Sequence, residues 1–194
     1  MEKVSILWFK KNLRISDNSA LYKASEEQKI AAIYINDPDI INNDDFSYYH
    51  LDFIKESLLE LEIIFKKNKS SFNVYYDKAI NVLKKINETY SIGKIITHYE
   101  TGNWVTYCRD KIITNYCKTN GIELLEYQSN GIVRNLSDRD GWSHLWNKEM
   151  IKDQISTPDV SGFLHLNAQW VNESFEKIKI ERKKYNKIYF GGES

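Results

Sequence analysis

The chain has 194 residues, 42% of them hydrophobic, with 27 Lys+Arg against 27 Asp+Glu and a formal net charge of zero. That length allows one domain with a full core plus an extension, and the balanced charge excludes a global positive field that would draw the whole molecule to nucleic acid. The opening residues MEKVSILWF lack a long apolar core followed by a small-residue cleavage site, and no apolar run approaches the ~20 residues of a membrane span, which points to a soluble cytoplasmic protein.

In chain order, KVSILWF (3–9) is a near-continuous apolar run and predicts a first strand. Lys10 and Lys11 follow it, free to face solvent or a phosphate. Asp17 and Asn18 are helix N-cap types ahead of a helical segment, with Asp17 expected to pair with Arg14. KIAAIYI (29–35) reads as a second strand. Leu51, Ile54, Leu58, Leu61 and Phe65 then repeat at three and four residues, the spacing of a helix face. FNVYY (72–76) predicts a third strand, and Ala79, Val82, Leu83, Ile86 and Tyr90 a second amphipathic helix. KIITHY (94–99) predicts a fourth strand. Trp104, Cys108, Ile112 and Tyr116 form a further stripe, read as a core face and stopped by Asn120-Gly121. IELLEY (122–127) completes the alternation. Strands of this kind are usually buried on both faces, so the pattern predicts an α/β doubly wound sheet of about five parallel strands over residues 1–130.

After Tyr127 the texture changes to turn residues with little sustained period, and residues 131–194 read as an ordered extension or interdomain connector. Cys108 and Cys117 stand nine helical steps apart, on opposite faces of one helix, and are expected to be reduced.

In a doubly wound sheet ligands lie beyond the carboxyl ends of the strands, which makes Lys10, Lys11, Asn36, Asp37, His98, Tyr99 and Glu100 candidates. The first turn, FKKNLR, has no glycine, which argues against a dinucleotide site of the G-x-G-x-x-G type. No phosphate-loop motif or G-x-S-x-G elbow occurs, and His50, His98, His144 and His165 share no close spacing that would suit a metal. The chemistry-bearing residues alone indicate no self-sufficient active site.

The stretch LWFKKNLRISDNSALYKAS (7–25) resembles the amino-terminal signature of the DNA photolyase and cryptochrome family. Further matches follow in the same order: YINDP, FIKESLLEL, CRD (Cys108–Asp110) and GIVRNLSDRDGWSHLWNKEM. The resemblance implies a Rossmann-like domain with strand order 3-2-1-4-5, joined by a long connector to a larger helical domain that binds FAD. That domain would lie beyond Ser194, and Gly191-Gly192 resembles the start of the segment leading to it. The implied activity of the parent protein is blue-light-driven repair of cyclobutane pyrimidine dimers in damaged DNA, by electron transfer from reduced FAD. The alternatives are a cryptochrome photoreceptor and a stand-alone nucleotide-binding α/β module.

Some members hold an antenna chromophore in the α/β domain. By resemblance its possible contacts are Lys11, then Tyr34, Asn36 and Asp37 after the second strand, then Asn103 and Val105 after the fourth. Asn103 and Val105 stand where deazaflavin binders carry acidic residues, and Val105-Thr106 where folate binders show Asn-Glu. A flavin nucleotide, another chromophore or no chromophore all remain open. His50 stands where relatives commonly carry arginine. Trp8 and Trp104 are expected to pack in the core, and Trp142, Trp146 and Trp170 to anchor the connector. The basic cluster Lys177, Lys179, Arg182, Lys183, Lys184 and Lys187, diluted by Glu176 and Glu181, reads as a solvated connector face before a DNA contact.

Overall fold

The computed structural model describes residues 3–129, 131–132, 138, 140–168, 170–178 and 190–193. Five parallel strands, β1 (Val4–Phe9), β2 (Ile30–Asn36), β3 (Phe72–Tyr76), β4 (Ile92–His98) and β5 (Glu123–Tyr127), form one sheet in the order β3-β2-β1-β4-β5. The helices are α1 (Ser19–Ala24), α2 (Pro38–Ile41), α3 (Tyr48–Lys67), α4 (Ala79–Tyr90), α5 (Trp104–Asn120), α6 (Trp142–Met150) and α7 (Val171–Glu176).

Because side chains alternate across a strand, β1 and β2 feed two cores at once. Leu7, Phe9, Ala32 and Tyr34 pack with Leu21 of α1 and with Leu58, Leu61 and Phe65 of α3. On the opposite face, Ile6, Trp8, Ile33 and Ile35 meet Val82, Leu83 and Ile86 of α4 and Ile113 and Cys117 of α5. Both faces of β1 and β2 are therefore dry, as their continuous apolar sequences require. β5 differs, because it is an edge strand, and Glu123 and Glu126 on it are exposed.

The predicted stripe of α5 is corrected. Trp104 is 73% and Ile112 54% exposed, while the inward face carries Thr106, Asp110, Ile113 and Cys117. This face lies one to two residues, roughly 100–200°, from the apolar repeat. Two of its members are polar because they serve the site described below. Apolar spacing alone could not select that face. Gly121 ends the helix at φ 64°, a left-handed conformation that glycine adopts without strain.

The segment after β5 contributes to the same body. Val160, Phe163, Val171 and Phe175 enter the core beside α3. Asn73 of β3, fully buried, donates to the carbonyls of Ala32 and Leu164 at 3.0 and 2.9 Å and accepts from the Leu166 amide at 2.8 Å. Leu164 N–H donates to Ile30 O and Ser71 N–H to Phe163 O, so the segment crosses the amino ends of β2 and β3 before reaching α7. By contrast α6 buries no residue, and Trp142 and Trp146 stand 43% and 41% exposed. Trp170 is half covered, with its ring stacked on His165 and the Lys66 ammonium 3.9 Å from its centroid. Lys179, Arg182, Lys183, Lys184 and Lys187 of the basic cluster lie outside the described residues.

Candidate ligand cleft at the carboxyl ends of the strands

Strand order reverses about β1, since its successor β2 lies on one side and β4 on the other. A cleft of about 750 Å³ opens at the carboxyl ends of these strands. Phe9, Leu13, Tyr34, Ile35, Ile40, Ile41, Phe46, Phe53 and Ile54 supply apolar walls, and Lys11, Glu100, Asn103, Thr106 and Arg109 a polar side.

Local sequence explains how each wall is held. Asn18 caps α1, its Oδ1 accepting from Leu21 N–H at 2.9 Å while its amide donates to Arg14 O at 2.8 Å. Arg14 in turn donates to the carbonyls of Ser16 and Asp17 and lies 3.3 Å from the Asp17 carboxylate. These contacts lock the β1–α1 loop that forms one rim. Asp37 caps two helices, with Oδ1 accepting from Asp39 N–H at 3.0 Å and Oδ2 from Ala79 N–H at 2.9 Å. Asn103 caps α5 through Thr106 N–H and reaches across to Asp45 at 3.2 Å. His50 Nδ1 accepts from Ser47 N–H within a capping box at the start of α3.

Beneath the polar side runs an ionic chain, exposed at Lys11 and buried from Glu100 inward. Lys11 Nζ lies 3.1 Å from Glu100 Oε1, and Glu100 Oε2 accepts from Arg109. Arg109 also donates to Asp110 Oδ1 at 2.9 and 3.1 Å, and Asp110 Oδ2 accepts from Lys10 at 3.1 Å. The Lys10 and Asp110 side chains are only 4% and 8% exposed, so water screens the pair weakly. Burial alone would raise the Asp110 pKa. The Lys10 and Arg109 charges, with their hydrogen bonds, outweigh burial and hold the carboxyl below the usual range. Lys10 and Arg109 also flank Trp8, at 4.6 and 4.9 Å from its ring centroid. His98 at the end of β4 lies 3.1 Å from Ser19 Oγ, and burial, aided by the charges of Arg14 and Lys10, pushes its pKa down to about 4.

Of the six residues singled out by resemblance, Lys11, Tyr34, Asn36, Asp37 and Asn103 line this one cleft, whereas Val105, half-buried on α5, is outside the lining. Asn36 donates to Ser174 Oγ at 3.0 Å and Asp37 is consumed by its two caps. The polar role of those two is thus structural. Sequence reasoning missed Arg109 and Asp110 as site residues, although CRD had drawn attention to them, and missed Gly192 and Glu193, which also line the cleft.

Chemically the cleft is built to bind. Its serine and threonine hydroxyls are committed to backbone carbonyls, Ser57 to Phe53 O and Thr106 to Asn103 O, both at 2.9 Å. On its polar side Lys11, Glu100 and Arg109 pair with one another, and apolar walls of this extent suit a planar ring system with a polar edge. Among the described residues no cluster of three or more His, Cys, Asp and Glu is placed to hold a metal ion.

Comparison with known proteins agrees with this geometry. The DNA photolyase family model matches residues 5–138. Cryptochrome-1 of Aedes aegypti is 26% identical over 63% of this chain and 24% of its own length. The deoxyribodipyrimidine photo-lyase of Buchnera aphidicola is 24% identical over 70% and 29%. The chain thus spans about a quarter of the curated relatives' length. An archaeal photolyase from Sulfolobus tokodaii, whose crystal structure holds two FAD molecules and is described as implying a novel light-harvesting cofactor, superposes with a TM-score of 0.76 at 25% identity. That match covers 97% of this chain and 44% of the other. The strand order, the cleft at the reversal point and the family match over residues 5–138 together show that this chain belongs to the DNA photolyase family, as its amino-terminal α/β domain.

Proposed function

We propose that this chain is the antenna domain of a photolyase-like flavoprotein in which a helical domain binds FAD. In the parent protein, reduced FAD repairs cyclobutane pyrimidine dimers in damaged DNA by blue-light-driven electron transfer. The observation that carries the reading is the cleft, whose apolar walls and internally paired charges enclose about 750 Å³, room for a tricyclic ring. Flavin is the chromophore class we favour, because the Sulfolobus tokodaii relative was solved with two FAD molecules. Phe9, Tyr34, Phe46 and Phe53 would hold the ring, with Lys11 and Asn103 at its polar edge. When bound, such a group absorbs light and passes excitation to the catalytic flavin. The residues of this chain keep water from the ring and fix its orientation.

Purified protein should therefore release a ring chromophore on denaturation, identifiable by mass, or take up FMN or FAD when supplied, and the 194-residue chain alone should leave thymine dimers intact under blue light. Failure to retain or take up any of these would sink the antenna reading, and repair by the chain alone would sink the division of labour. A cryptochrome photoreceptor is the second reading, favoured by the Aedes aegypti relative. Dimer repair by the protein with its helical domain attached separates the two.

A further inference from the structure

Residues 190–193 form a bridge across the cleft. On one side the Gly191 amide donates to Glu56 Oε2 at 2.8 Å, the Gly192 amide to Ser57 Oγ at 3.0 Å and the Glu193 amide to Glu60 Oε2, all on α3. On the other side the Glu193 carboxylate uses both oxygens, accepting from the amides of Ile15 and Ser16 in the β1–α1 loop at 2.8 and 3.0 Å. α3 and this loop both border the cleft, and Gly192 and Glu193 line it.

The sequence suits this close approach. A Cβ on Gly191 would stand 1.9 Å from Phe53 O, and one on Gly192 would stand 2.0 Å from Glu60 Oε2, with Gly192 at φ 116°. Two glycines therefore let the backbone lie directly on α3. The bridge buries little apolar surface, since Phe190 is 72% exposed and the Glu193 contacts are open to water. The Glu193 latch bonds are solvent-exposed, and exposed bonds open at lower free-energy cost than buried ones.

We propose that Phe190–Glu193 is a strap that gates the cleft, with Glu193 as its latch on the Ile15 and Ser16 amides. The proposal rests on the reading of the cleft as a ring-binding site. With the latch closed, α3 and the loop are tied together and a bound ring is enclosed. With it released, the ring exchanges.

The test uses the 194-residue chain with FMN as probe, mixing and displacement being followed by flavin fluorescence. Glu193→Ala should raise association and dissociation rates together by about tenfold, leaving the Kd within roughly threefold, and Glu193→Gln, which keeps one acceptor oxygen, should fall between. Rates within twofold of wild type would overturn the gate. A rise in dissociation alone would also overturn it, because Glu193 would then be a ligand contact. Should wild type bind no FMN, the ring-binding reading fails and the latch is judged by amide exchange. Ile15 and Ser16 protected in wild type and fast in Glu193→Ala support the strap, and equal exchange refutes it.

Discussion

Asp110→Asn tests the ionic chain under the cleft most directly. The substitution preserves shape but removes the charge that faces Lys10, whose side chain is 4% exposed, at 3.1 Å. Arg109 keeps Glu100, so Lys10 suffers the larger loss. Removing one partner of a buried pair typically costs about 3–5 kcal/mol, because the remaining charge is left desolvated. In a chain of this size that is a fall in melting temperature on the order of 10 °C. Lys10→Met alone should cost less, about 1–2 kcal/mol, since Asp110 retains its 2.9 and 3.1 Å contacts with Arg109. In the double variant Lys10→Met/Asp110→Asn no lysine is orphaned, so it should be more stable than Asp110→Asn. Urea unfolding of the four proteins, followed by circular dichroism, gives the coupling energy. A cost below about 1 kcal/mol for Asp110→Asn, or a double variant that simply adds the two single losses, would refute the argument that burial makes this pair matter.

Asp37→Ala removes caps from α2 and α4 together and should lower stability by about 2 kcal/mol, whereas Asp37→Asn, retaining one acceptor, should cost roughly half as much; chemical denaturation distinguishes them. His98 gives a pH dependence of defined sign. Its folded pKa of about 4 lies below the ordinary 6.5, so between those values the unfolded chain binds the extra proton and stability falls as pH drops. The loss approaches on the order of 3 kcal/mol by pH 4, and His98→Gln should flatten that part of the stability profile in urea melts from pH 7 to 4.

What could be read from sequence divides by the distance over which the determining contact acts. The parallel sheet was legible because strands dry on both faces must be apolar throughout, as β1 and β2 are. The Asn18 cap and the Arg14–Asp17 pair were legible because each closes within four residues. Lys10 looked like a solvent-facing or phosphate-facing group because its partner, Asp110, is a hundred positions away. The same holds for Glu193, which meets Ile15 across 178 positions. The inward face of α5 was misassigned for a related reason. Thr106 and Asp110 are buried by the cap and ion pair they make, and a hydrophobicity pattern registers neither.

The passage of residues 163–166 beside β3 has a consequence for the edge of the sheet. A parallel sheet ends in a strand whose outer amides and carbonyls invite another chain to pair. At the β3 edge the protein's own polypeptide lies alongside, held by side chains of the strand and by the residue just before it. Phe163 takes the Ser71 amide, Asn73 is bound to Leu164 and Leu166, and the Tyr75 hydroxyl donates to Leu166 O. The stretch that reads as a mere connector thus works as a selvedge, occupying the space beside the edge strand and tying that side of the sheet to residues far beyond its last strand.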